Sequence, residues 1–166
     1  MELRIKGKNI CVEYTGRDVL DIDEIEIYDY DRIGLVGGNG AGKSTLLSMI
    51  SRLLKKDSGQ VLIDGKDLDL WNSSELSKKI SILRQSNHID IRLTIRELVS
   101  FGRFPYSQGN LTTEDEIQID KAISYMKLED IENKYIDQLS GGQRQRAYIA
   151  MVIAQNTEYI LLDEPL

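Results

Sequence analysis

Gly37-Gly38-Asn39-Gly40-Ala41-Gly42-Lys43-Ser44 is the stretch on which the reading of this chain turns. It fits the pattern G-x-x-x-x-G-K-[ST], which forms a phosphate cradle when a strand precedes it and a helix follows. Glycines let the loop fold tightly, so that successive backbone N–H groups point inward at one anion. The start of the following helix adds partial positive charge. In such a loop Lys43 reaches the β and γ phosphates of a nucleotide, and Ser44 ligates Mg2+. Upstream, Ile33, Gly34, Leu35 and Val36 make a short run leading into the glycines, which predicts a strand buried on both faces of a parallel sheet. Downstream, Leu46, Leu47, Ile50, Leu53 and Leu54 share one helical stripe, and residues 55–59 end it.

Further out the pattern alternates between strands and helices. Residues 23–30 interleave acidic side chains with Ile25, Ile27, Tyr28 and Tyr30, as a half-exposed strand does. Val61-Leu62-Ile63 predicts a strand closed by a hairpin-type turn at Asp64-Gly65. Residues 80–83 predict another strand. Thr94 with Glu97, and Thr113 with Glu116, have capping-box spacing for helix starts. Ile119, Ala122, Ile123 and Met126 then form an apolar helical face. Ser140 with Gln143 repeats the capping spacing and opens a helix through about Ala154. Tyr159-Ile160-Leu161-Leu162 predicts a last buried strand. This order is that of an α/β protein with a helical insertion.

Composition bounds the function. A chain of 166 residues with 41% hydrophobic and 29% charged residues suits one domain with a real core. With 21 basic and 27 acidic residues the formal net charge is −6, so binding to nucleic acid by phosphate neutralisation is not expected. Residues 71–109 carry six basic and three acidic side chains, and residues 110–138 carry three and eight. These read as solvated faces; the alternative is that the basic middle faces a partner. The longest charge-free stretch, 147–157, is far short of the roughly 20 residues that span a bilayer. The charged alternation of residues 1–6 is unlike a signal peptide. Cys11 is the single cysteine, which excludes an internal disulfide and a cysteine-only zinc site. Together these features predict a cytosolic compartment.

Two further segments carry chemistry. In Leu161-Leu162-Asp163-Glu164 an apolar strand ends in carboxylates, at the strand end where open α/β sheets bind ligands. Asp163 suits a Mg2+ contact, and Glu164 is placed to orient and deprotonate an attacking water. In Leu139-Ser140-Gly141-Gly142-Gln143 two glycines and a helix-start serine leave N–H groups for a phosphate, or make only a flexible helix cap.

These three segments together resemble the ATP-binding cassette (ABC) ATPases, and the likeness covers nearly the whole chain. It implies a P-loop NTPase with a RecA-like parallel core, an N-terminal antiparallel β subdomain and a helical insertion. It also implies a single nucleotide-binding domain over 1–166, with about 88–139 as the helical subdomain. Tyr14 matches the aromatic that stacks on adenine. Gly37, Gly38, Asn39, Gly40, Ala41, Gly42, Lys43, Ser44 and Thr45 match the Walker A loop. Gln85 matches the glutamine that touches Mg2+ and senses the γ-phosphate, while His88 lies in the wrong place to be the switch histidine. Ser140, Gly141, Gly142 and Gln143 match the signature that completes the site of the opposite subunit. Asp163 and Glu164 match the Walker B aspartate and the catalytic glutamate. ATP and Mg2+ are the implied cofactors. A second ATP-binding subunit and membrane permease subunits are the implied partners, at the inner face of the cell membrane.

From about Ser48 onward the chain resembles the ATPase subunits of iron-siderophore importers, most clearly in Leu93-Thr94-Ile95-Arg96-Glu97-Leu98-Val99 and Phe101-Gly102-Arg103-Phe104-Pro105-Tyr106. Residues 1–47, through Glu13, Arg17-Asp18-Val19-Leu20-Asp21 and residues 28–36, resemble the macrolide-resistance branch of the ABC-F proteins, which act on ribosomes, and the contrast suggests a hybrid or engineered chain, or an unusual natural sequence. The importer is the leading reading, ahead of a ribosome-associated ATPase or an inactive fragment. The sequence stops at Leu166, directly after the two carboxylates. The resemblance implies that the strand bearing the switch residue would follow, between the strands of Walker A and Walker B, so the C-terminal part of the core is expected to be missing. The sheet is then expected to close up, to accept a second chain, or to belong to a longer polypeptide.

Overall fold

A computed structural model describes residues 1–84 and 91–164. The chain divides into two units, Met1–Asn72 and Ser73–Leu166.

The first unit is an antiparallel sheet with one helix. Strands β1 (Leu3–Tyr14) and β2 (Arg17–Tyr28) form a long hairpin. Its turn places Thr15 and Gly16 at positive φ, the backbone that a two-residue hairpin needs. Helix α1 (Lys43–Ile50), β3 (Ser58–Ile63) and β4 (Lys66–Asp67) follow, and the strand order is β2-β1-β3-β4. Ile5, Ile10, Val12, Leu20, Val61 and Ile63 are buried. The predicted turn at Asp64-Gly65 is present, with both residues at positive φ between Ile63 and its partner Lys66. Gly59 has φ 86°, and a Cβ there would stand 2.2 Å from the Asn9 carbonyl oxygen, so only glycine lets β3 cross β1 so closely.

Three expectations fail in this unit. Residues 33–36 are not a strand: they have no ladder partner among the described residues, and Val36 is 98% exposed. Apolar composition selects burial, but a strand exists only where its N–H and C=O groups find a neighbouring ladder. The α1 stripe stops at Ile50 and does not continue to Leu54. Arg52 sits at φ 59°, and its Nη1 donates to the Trp71 carbonyl at 2.5 Å, so a contact 19 residues away overrides the helical pattern. The strand expected over 23–30 instead begins at Arg17 and ends at Tyr28, and Tyr30 lies beyond it at φ 66°.

The second unit packs helices around a two-stranded parallel sheet. Its elements are α2 (Ser73–Lys79), β5 (Ile80–Leu83), α3 (Ile95–Ser100), a 3-10 turn at Phe101–Arg103, α4 (Phe104–Ser107), α5 (Thr113–Tyr125), α6 (Gly141–Ala154) and β6 (Tyr159–Leu162). Strands β5 and β6 pair in parallel from Ile80 opposite Tyr159 to Leu83 opposite Leu162. Leu83, Ile95, Leu98, Ile119, Ile123 and Leu128 fill the core, and Ala147, Ala150 and Ala154 let α6 approach it closely. Strand β6 is not buried on both faces as expected: Ile160 and Leu162 are exposed, and the alternate positions are half-buried.

Three helices of this unit start with capping boxes, which satisfy first-turn N–H groups that the helix itself cannot. Thr94 with Glu97 opens α3 and Ser140 with Gln143 opens α6, as expected. For α5 the box is Thr112 with Asp115, one residue earlier than the expected Thr113 with Glu116. Asp115 turns inward to Arg103, while Glu116 turns outward to Arg96.

The two carboxylate boxes give the unit an acid dependence. The backbone N–H of Thr94 holds the Glu97 carboxyl below its ordinary value of 4.5. The backbone N–H of Thr112, against the opposing effect of burial, holds Asp115 below 3.8. A carboxyl whose folded pKa is depressed adds stability that is fully present above its ordinary value and lost as pH falls through the folded one. Urea midpoints of the wild type should therefore drop more between pH 6 and pH 3 than those of a Glu97→Gln, Asp115→Asn double variant. Parallel acid limbs would remove these two groups as the cause. The α6 box uses Gln143 and contributes nothing to this effect.

Candidate functional site

The glycine loop lies in the first unit. Gly40 and Gly42 both have φ 80°, a conformation that costs glycine nothing. A Cβ on Gly42 would stand 2.7 Å from the Val19 carbonyl oxygen, so glycine is required where the loop meets β2. Around Gly38 and Gly40 there is open space, with no atom within 4 Å of an added Cβ. Helix α1 begins at Gly42 with no side-chain cap and no acidic residue in its first turn. The start of such a helix carries partial positive charge that favours an anion. Lys43 folds back over the loop, its Nζ donating to the Gly37 carbonyl at 2.7 Å and the Gly38 carbonyl at 3.0 Å. Ser44 and Thr45 follow in the same first turn.

Tyr14 stands half-exposed at the end of β1, paired with Arg17 across the hairpin turn. Arg17 is two residues, about 7 Å of strand, from the Val19 that Gly42 packs against. The sheet thus holds the exposed ring and the glycine loop on one end of the unit.

In the second unit the carboxylates and the serine-glycine segment sit at element ends. Asp163 is buried, and its backbone N–H donates to the Leu83 carbonyl at 2.9 Å, which extends the β5–β6 ladder by one bond. Glu164 is exposed and has φ 48°, a left-handed conformation that a glutamate adopts at a cost of about 1–3 kcal/mol. Ser140 Oγ accepts from the Gln143 N–H, and Gln143 Oε1 accepts from the Ser140 N–H. Gly141 and Gly142 face open space at the start of α6. Gln85 and His88 lie outside the described residues.

Sequence reasoning missed one feature. Arg103 and Asp115 form a buried ion pair at 2.8 Å. No local sequence pattern signals it, because the two residues lie 12 positions apart on different elements.

The ABC transporter family model matches residues 20–166. The chain is 60% identical over 162 residues to the petrobactin import ATP-binding protein YclP of Bacillus subtilis, covering 98% of this chain and 64% of that protein. It is 53% identical to the petrobactin import ATP-binding protein FatE of Bacillus anthracis, covering 98% of this chain and 65% of that protein. One likeness to importer subunits therefore runs through residues 1–47 and 48–166 alike, and the chain spans a little under two thirds of these relatives. Among solved structures, a nucleotide-free ATP-binding cassette from an ABC transporter superposes with TM-score 0.84 at 25% identity, over 99% of this chain and 70% of that one. The cbiO1 protein of Clostridium perfringens, part of the ABC transporter complex cbiONQ, superposes with TM-score 0.82 at 29% identity, over 99% of this chain and 66% of that one.

Proposed function

The chain belongs to the ABC transporter family, and from that premise we propose that it is the ATP-binding and ATP-hydrolysing subunit of an iron-siderophore importer. The observation that carries this reading is the 60% identity to a petrobactin import ATP-binding protein along 98% of the chain. Residues 1–166 form its nucleotide-binding domain, with about 88–139 as the helical subdomain.

In this reading the Tyr14 ring stacks on adenine, and the amides of residues 37–42 with the α1 start hold the phosphates. Lys43 leaves its own loop carbonyls for the β and γ phosphates. Among the described residues no cluster of three or more His, Cys, Asp or Glu side chains is suited to a metal ion. In this reading Ser44, Asp163 and Gln85 would supply hard oxygen donors to a Mg2+ bound with the nucleotide. That ion supplies charge neutralisation on the phosphates. Glu164 orients the attacking water and takes its proton. Ser140, Gly141, Gly142 and Gln143 close over the nucleotide of a second copy.

The partners are that second copy and membrane permease subunits, and the location is cytoplasmic, on the inner face of the membrane. No helix among the described residues is long and apolar enough to cross a membrane, which suits a subunit that works through a separate permease. The match to importer subunits on both sides of Ser48 favours this reading over a ribosome-associated one. A strain lacking such an importer subunit should regain ferric-siderophore uptake when it expresses this protein. ATP turnover without restored uptake would assign the protein to a different ABC system.

A further inference from the structure

We infer that Arg103 is a positioning residue that sets where the Ser140 end of α6 stands. The inference rests on the proposed function, in which that end acts on the nucleotide of a second copy.

Arg103 is 4% exposed and its guanidinium joins separate elements. Its Nε donates to Asp115 Oδ1 at 2.8 Å, on α5. Its Nη1 donates to the Ala154 carbonyl at 2.8 Å and reaches the Gln155 carbonyl at 3.4 Å, at the C-terminal end of α6. Its Cζ lies over the Tyr106 ring, on α4, 4.0 Å from the ring centre. The last carbonyls of a helix have no partners of their own and carry partial negative charge, so a buried cation there binds strongly and directionally. The preceding residue tightens the same junction: a Cβ on Gly102 would stand 2.1 Å from the Met151 carbonyl oxygen, so the 3-10 turn rests directly on the α6 backbone. From the α6 side, Gln155 Nε2 donates to the Ser77 carbonyl at 2.6 Å, tying the helix end to α2.

The consequence is a lever. Helix α6 has 14 residues and is about 21 Å long, and it is clamped at the end far from Ser140. A small rotation at the clamp moves Ser140 and its glycines by more than the clamp itself moves. Catalytic geometry is sensitive to such shifts: about 1 Å of misplacement can cost about a hundredfold in rate. Lysine keeps the charge but has no planar fork to meet Asp115 and Ala154 together or to stack on Tyr106.

The test is Arg103→Lys, with Gln155→Ala as a second variant that loosens the same helix end and leaves the main-chain acceptors of Arg103 in place. Arg96→Gln is the control. Arg96 binds three carboxylates in the same unit, Glu116, Asp120 and Glu132, and none of the three lies on α6. Folding is checked by circular dichroism, Mg-ATP affinity by titration with a fluorescent analogue, and kcat by phosphate release. Both clamp variants should lose about tenfold to a hundredfold in kcat while their Mg-ATP affinity stays within about twofold of wild type. The control should keep both. Unchanged kcat in both clamp variants overturns the inference. So does a joint loss of affinity and kcat, or an equal loss in Arg96→Gln, since either would mean general destabilisation. A wild type that binds Mg-ATP and never turns it over overturns the reading of function, and the inference falls with it.

Discussion

Lys43→Ala should abolish measurable Mg-ATP binding, raising the dissociation constant about a hundredfold or more. Hydrogen bonds to charged groups contribute about 1.5–3 kcal/mol each, and Lys43 is placed to make two of them to phosphates. Losing both costs about 3–6 kcal/mol, and each 1.4 kcal/mol is about tenfold in affinity. A second loss adds to this. The Nζ now bridges the Gly37 and Gly38 carbonyls, so its removal also loosens the loop that aligns the amides. The side chain lies in an exposed loop contact, so the fold should survive with an unchanged far-ultraviolet spectrum. Titration with a fluorescent ATP analogue reads the effect. An affinity within about twofold of wild type would refute the assignment of this loop to phosphate.

Glu164→Gln should leave Mg-ATP affinity intact and reduce turnover by about a hundredfold or more, the range that a positioned general base supplies. The substitution keeps size and hydrogen-bonding reach and removes only the ability to accept a proton at neutral pH. Phosphate release under single-turnover conditions separates the chemical step from nucleotide exchange. Equal rates for wild type and variant would take the glutamate out of the chemistry.

The elements that sequence patterns located well are those whose causes are local. The Asp64-Gly65 turn, strands β3 and β5, and the α6 capping box each depend on residues within a few positions of one another. The failures share a different cause, contacts that are distant in sequence. Adjacent threonines at 112 and 113 each have an acidic residue three positions on. Arg103, on another element, decides between them by drawing Asp115 inward. Arg52 ends α1 through the carbonyl of Trp71. Residues 33–36 have the composition of a buried strand, and composition cannot say whether a ladder stands beside it. The candidate site is read from contiguous motifs, residues 37–44, 140–143 and 163–164, whereas the clamp at Arg103 is assembled from four elements and has no motif.

The starts of α3, α5 and α6 are each closed by their own side chains, while α1 begins after Gly42, which supplies no side-chain cap. Under the proposed function the nucleotide is the missing cap of that helix, and folding and ligand binding become one linked equilibrium. At a concentration a hundred times the dissociation constant a ligand adds about 2.7 kcal/mol to stability. That is a large share of the roughly 5–15 kcal/mol that holds a typical domain together. The apparent robustness of the fold in a cell is then set partly by how much nucleotide the cell maintains, so starvation of energy would act on this protein as a mild denaturant.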